Sequence, residues 1–177
     1  MLLPRISMIR MGCVTVIDVT ITPLPAASLH ALEIWSNPAA VQTRITASLG
    51  FALPALGKSG GTDALQLIRY EPTVWLVEGD ASPLPEILSD DGAITAIGGG
   101  IVRIRLAGSG WRRLLMEGGA FDAENPDFAP GCSAATIVDH VPVRLHVISN
   151  DLCTAYVPLS YSAAILHFWQ QSAGTID

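Results

Sequence analysis

ATIVDHVPVRLHVISND, residues 135 to 151, is the stretch whose reading decides the fold. From Val141 the odd positions Val143, Leu145 and Val147 are apolar, and the even positions hold His140, Pro142, Arg144 and His146. Period-two alternation of this kind marks a strand with one buried face. Both histidines then share the less apolar face. They are six residues apart, about 20 Å along an extended strand. One zinc ion holds its ligands at about 2 Å, so the two do not share a metal. Asp139 and His140, as neighbours in a strand, point to opposite faces and do not form a dyad.

Working outward, the rest of the chain alternates strands with short helices. CVTVIDVTI (13 to 21) is rich in β-branched residues and reads as a strand. Asn37-Pro38 has the form of an N-cap followed by proline at the first helical position. Val41, Ile45 and Leu49 recur every four residues, and Gly50 ends that helix. ALQLIRY and TVWLVEG read as strands around Glu71-Pro72. Residues 93 to 97 and 101 to 107 are expected to pair as a hairpin through Gly98-Gly99-Gly100. Ser109 is placed to cap a helix carrying Trp111, Leu114 and Leu115, which Gly118 closes. After a loop over 119 to 132, two strands are expected, turning at Asn150-Asp151. A last helix starts near Ser160, with Tyr161, Ala164, Ile165, Phe168 and Trp169 on its apolar stripe.

The pattern is α+β, a largely antiparallel sheet with packed helices. The 177 residues suit a single domain over 1–177, or two small subdomains with a seam from Ala81 to Asp91. Hydrophobic residues make up 50% and charged ones 15%; a typical soluble domain is about 25% charged. Mean hydropathy is +0.43. The apolar excess therefore needs a home. No uncharged run reads as a membrane span, because Leu152 to Trp169 divides into a strand and a helix. Asp18 interrupts the N-terminal apolar stretch, and no signal peptide is expected. The net charge of −6 and the lack of a basic cluster beyond Arg112-Arg113 argue against nucleic acid as a partner. Cys13, Cys132 and Cys153 form no CxxC pair, which fits a cytoplasmic protein.

No stretch supplies a complete catalytic constellation. GKS at 57 to 59 lacks the earlier glycine of a phosphate loop, since Ala52 stands at its place. GSG at 108 to 110 lacks the third glycine of a dinucleotide fingerprint, with Arg113 there instead. Cys132 reads as a buried structural thiol. Asp122, Glu124 and Asp127 read as a solvated loop. Arg103 and Arg105 share one strand face, which reads as an ordinary exposed face, with contact to an anion or an acidic partner as the alternative. No catalytic, cofactor-binding or metal-binding residue is assigned.

Five segments nevertheless occur in a recognisable order: LGFALP (49 to 54), IRYEPTVWLV (68 to 77), IRLAGSGWRRLL (104 to 115), FAPGCSAATIVDHVPVRLHV (128 to 147) and YVPLSYSAAILHFW (156 to 169). Together they resemble the gamma subunit of heterotetrameric sarcosine oxidase over roughly residues 41 to 172. The resemblance implies a fold related to the folate-binding domain of glycine-cleavage T-proteins. It implies a role in a complex that oxidatively demethylates sarcosine to glycine and hydrogen peroxide, with tetrahydrofolate capturing the one-carbon unit. FAD, FMN, NAD and zinc would belong to the other subunits, and this chain would be a non-catalytic one. A permanent subunit interface would house the apolar excess. The half-polar strand face carrying His140, Arg144 and His146 is the expected partner contact. A free-standing folate-binding one-carbon protein is the alternative reading.

Overall fold

A computed structural model describes residues 18–175. Among them run ten strands and four helices: β1 (Thr20–Pro23), β2 (Leu29–Ile34), α1 (Pro38–Leu49), β3 (Ser59–Gly61), β4 (Leu65–Arg69), β5 (Val74–Gly79), α2 (Leu84–Leu88), β6 (Gly92–Ala96), β7 (Ile101–Ala107), α3 (Trp111–Met116), β8 (Ser133–Val138), β9 (Val141–Ser149), β10 (Leu152–Pro158) and α4 (Ser162–Thr175). They form two antiparallel sheets. The first has the order β1-β7-β10-β9-β8, the second β3-β4-β5-β2-β6. The expected α+β class is what the chain adopts. Most of the strand expected over 13 to 21 lies outside the described residues.

Strand alternation sets the layers. On β9 the odd residues Val141, Val143, Leu145 and Val147 are buried, as their pattern predicts, and they meet Trp111, Leu114 and Leu115 of α3 and Ile165 and Trp169 of α4. The second sheet buries Leu32, Ile34, Leu65, Leu67, Trp75 and Val77 against Val41 and Ile45 of α1 and Leu84, Ile87 and Leu88 of α2. Leu29, Ile68 and Leu76 lie on the opposite side of that second sheet and pack against Tyr156 of the first. The result is four layers, with a helix pair outside each sheet and the two inner sheet faces against one another.

Local signals explain the helix ends. Pro38 opens α1, and Gly50 closes it in the left-handed region, its N–H on the Thr46 carbonyl. Asn37 makes no side-chain cap. It lies at φ 42 and turns its amide to Asp91 Oδ1 at 2.7 Å. Ser36 Oγ donates to the same oxygen at 2.6 Å, and Arg44 Nη2 reaches Asp91 Oδ2 at 2.7 Å. Arg44 also donates to the Ile87 and Leu88 carbonyls that end α2. These three donors hold the Asp91 carboxyl at about 2, below its ordinary range.

Four sequence expectations are corrected here. Residues 93–97 and 101–107 do not pair. β6 pairs with β2 in one sheet and β7 with β1 and β10 in the other, and Gly98–Gly100 carries the chain between sheets. Both strands look alike because each has one apolar side, and nothing local says whose partner each is. Three strands, not two, follow Cys132, because Asp139 and His140 form a tight turn with φ of 45 and 66 between Val138 and Val141. The stretch read as a seam, Ala81 to Asp91, forms α2 and the turn after it, and Ala81, Leu84, Ile87 and Leu88 belong to the second sheet's core. Ser109 does not cap α3; Gly110 precedes that helix and Ser109 Oγ donates to Asp18 Oδ2 at 3.2 Å.

Candidate functional site

The register of the first sheet builds a polar row on its inner face. Thr154 of β10 stands opposite Arg105 of β7 on one side and His146 of β9 on the other, and His146 stands opposite Ser133 of β8. The next row is Arg103, Tyr156, Arg144 and Ala135. Polar side chains in register on an inward face must find partners, because an unpaired buried polar group costs about 1–3 kcal/mol. The second sheet supplies them. His146 Nε2 lies 2.7 Å from Ser59 Oγ, and Ser133 Oγ donates to the Arg69 carbonyl at 3.0 Å. Tyr156 Oη donates to Glu78 Oε2 at 2.6 Å, and Arg103 pairs with Glu78 Oε1 while its other terminal nitrogen donates to the Pro25 carbonyl at 2.7 Å.

Burial sets the charge state of these groups. Ser133, His146 and Thr154 are 5, 6 and 7% exposed. Desolvation lowers the His146 imidazolium from 6.5 to about 4, so the ring is neutral near pH 7. Burial also pushes the Tyr156 hydroxyl well above its ordinary range. The phenol stays protonated and serves as a donor to Glu78. Cys153, on the helix side of β10, is pushed up to about 12 by burial.

The two sheets do not close completely along this face. A cavity of about 490 Å³ lies between them, lined by Arg105, Thr154, His146 and Tyr156 of the first sheet and Ser59, Gln66 and Glu78 of the second, with Asp63 at its side. Its volume lies within the range of small-molecule pockets, about 300–1,000 Å³.

The residues singled out from the sequence scatter over this frame. His140 is exposed in its turn, Arg144 is half-exposed and makes an ion pair with Glu71 at 3.2 Å, and His146 is interior. The single half-polar strand face expected from alternation is therefore divided. It is buried against the second sheet at His146 and Thr154, and open toward the turn at Ala135, Ile137 and Pro142. Lys58 of the GKS stretch donates to Cys132 Sγ at 3.0 Å, and that contact raises its ammonium pKa. Asp122 Oδ1 accepts the Glu124 N–H, and Asn125 Oδ1 that of Asp127, so this loop is shaped by its own turns. Among the described residues, no three histidines, cysteines or carboxylates come together as a metal site.

Sequence reasoning missed Ser59, Glu78, Thr154 and Tyr156. A signal existed for two of them: Thr154 and Tyr156 are the hydrogen-bonding positions of an otherwise apolar strand, and they alternate. Glu78 ends the apolar run of β5, but its partners Arg103 and Tyr156 lie 25 and 78 residues away in sequence.

The fold defined by this arrangement, two packed antiparallel sheets with helices outside each, is of the T-protein type. Among solved structures the chain is similar to one chain of the heterotetrameric sarcosine oxidase from Corynebacterium sp. U-96 in complex with pyrrole 2-carboxylate, with a TM-score of 0.77 at 15% identity, covering 88% of this chain and 84% of that one. It is also similar to the glycine cleavage system aminomethyltransferase T from Bartonella henselae, with a TM-score of 0.61 at 17% identity, covering 86% of this chain and 45% of that one. No family model and no curated protein sequence matches the chain. At such identities the likeness is one of fold. No described helix is long and apolar enough to cross a membrane.

Proposed function

We propose that the chain is a non-catalytic, stabilising subunit of a sarcosine-oxidase-like complex. Such a complex would oxidatively demethylate sarcosine or a related N-methyl amine to glycine, formaldehyde or methylene-tetrahydrofolate, and hydrogen peroxide. The observation that carries this reading is the likeness to a sarcosine oxidase chain over most of both lengths. A likeness confined to one part of a larger enzyme would favour a detached domain instead. FAD, FMN, NAD and zinc would sit on the partner subunits, and the assembly would be cytoplasmic. His140 and Arg144 border the open end of the divided strand face, where Ile137 is 54% exposed beside Pro142. That end, rather than His146, is the proposed partner contact.

The test is co-expression with candidate flavoprotein subunits, comparing preparations made with and without this chain. The reading expects a lower yield of flavin-loaded complex without it, and no sarcosine turnover by the chain alone. Turnover by the isolated chain, or an unaffected complex in its absence, would contradict it. The likeness to the aminomethyltransferase favours a second reading, a free-standing folate-binding one-carbon protein. Calorimetry separates the two. Tetrahydrofolate bound by the lone chain with a Kd near 1 μM, about −8 kcal/mol, would promote the second reading.

A further inference from the structure

The cavity between the sheets has an uneven distribution of charge. Arg103 is already committed: its guanidinium holds Glu78 and the Pro25 carbonyl, and Tyr156 takes the second Glu78 oxygen. Arg105, two residues along the same face, makes no ion pair or hydrogen bond among the described residues, yet lines the same cavity. The side chains next to it in the row, Thr154 and then His146, are buried and polar, with Ser59 behind His146. Arg103 Nε is also buried with no acceptor. One exposed cation therefore stands at the edge of a floor of uncharged hydrogen-bonding groups.

We propose that this cavity binds a small organic monocarboxylate, with its carboxylate forked on Arg105 and its body over Thr154, His146 and Ser59. A planar guanidinium matches a carboxylate through two parallel hydrogen bonds. The charge count sets a ceiling of one negative charge on the ligand. Among the described lining residues Arg103 and Glu78 cancel, Arg105 is the one cation not already paired, and Asp63 stands at the cavity's side, so a single guanidinium is left to meet a single carboxylate. A phosphate dianion would leave charge uncompensated. The row spacing of about 4.8 Å per strand places Arg105 and His146 about 10 Å apart across the floor, a span that admits a ring or short chain beyond the carboxylate. The proposal is independent of the subunit reading, because Arg105 lies away from the open strand end at Ile137 and Pro142.

The experiment titrates the full chain with acetate, glycolate and 4-hydroxybenzoate, followed by amide NMR and calorimetry. Uncharged 4-hydroxybenzamide and inorganic phosphate serve as comparison arms. At least one acid is expected to saturate, with shifts at the amides around residues 105, 146 and 154. The amide and phosphate should bind at least tenfold more weakly. Arg105→Gln should weaken the acid at least tenfold with an unchanged thermal transition. Arg105→Lys, which keeps the charge without the fork, should recover part of the loss, and Thr154→Val should weaken binding through the floor. Failure of all three acids to saturate, equal binding by Arg105→Gln, or phosphate binding as tightly as the best acid would each overturn the proposal.

Discussion

His146 sits on a strand whose alternation marks it as outward, yet it is buried because the outward face of one sheet is the inward face of the pair. Its burial makes a prediction about pH. The folded state disfavours the imidazolium, so protons bind the unfolded chain first. The contribution of neutral His146 is fully present above pH 6.5 and is lost as pH falls toward about 4. A fall of that size corresponds to about 3 kcal/mol at most. Asp91, held at about 2, gives up its contribution only below its ordinary 3.8, so the two windows are separate. Urea denaturation between pH 7 and pH 4 should show stability declining in the wild type and a flatter profile in His146→Gln, which can keep a hydrogen bond to Ser59. Parallel profiles would show that another group carries the dependence. At this scale the sequence was legible in part. Alternation gave the correct side for Val141, Val143, Leu145 and Val147 of β9. It could not say that the even side also meets a partner, since Ser59 is 87 residues away and polar itself.

The elements were more legible than their pairings. Pro38, Gly50 and the four-residue recurrence of Val41 and Ile45 placed α1 because helix ends and faces are local properties, whereas Asn37 turns its side chain to Asp91 instead of capping the helix. The stripe of α4 was placed one step off. Ile165 and Trp169 are fully buried as read, but Tyr161, just before the helix starts at Ser162, is 48% exposed, and Ala164 within the helix is exposed as well. The false hairpin through Gly98–Gly100 came from treating nearness in sequence as nearness in the sheet. Two element-scale predictions follow from packing. Trp169 anchors α4 on the first sheet, and Trp169→Ala should cost about 3–5 kcal/mol in denaturant titration. A loss below 1 kcal/mol would show that the helix is not held there. Gly118 adopts φ 63, and a Cβ there would lie 2.6 Å from the tip of the Phe168 ring. Gly118→Ala should therefore lower stability by about 1–3 kcal/mol, whereas the change at Gly99, with open space around it, should be nearly neutral.

On the scale of the molecule, the central feature is that the two inner sheet faces combine an apolar patch at Leu29, Ile68 and Leu76 with polar ties, Glu78 with Arg103 and Tyr156, His146 with Ser59 and Ser133 with the Arg69 carbonyl. The apolar excess is mostly spent on the helix-covered outer faces, and what remains exposed includes Trp35, Leu56, Ile137, Leu159 and Tyr161. The proposed subunit role predicts a separation between folding and assembly. Arg144 and Glu71 form an exposed pair worth about 0–1 kcal/mol, so Arg144→Glu and Ile137→Asp should leave the lone chain's denaturation midpoint nearly unchanged. Both should reduce recovery of this chain with its partners. Loss of folding instead of assembly would return that face to the interior. Native mass spectrometry of a preparation co-expressed with flavin-carrying sarcosine-oxidase-type subunits tests the subunit claim most directly. The account predicts one species in which this chain is present in fixed stoichiometry with the flavin subunits. Flavin subunits assembled by themselves, with this chain observed only apart from them, would contradict it.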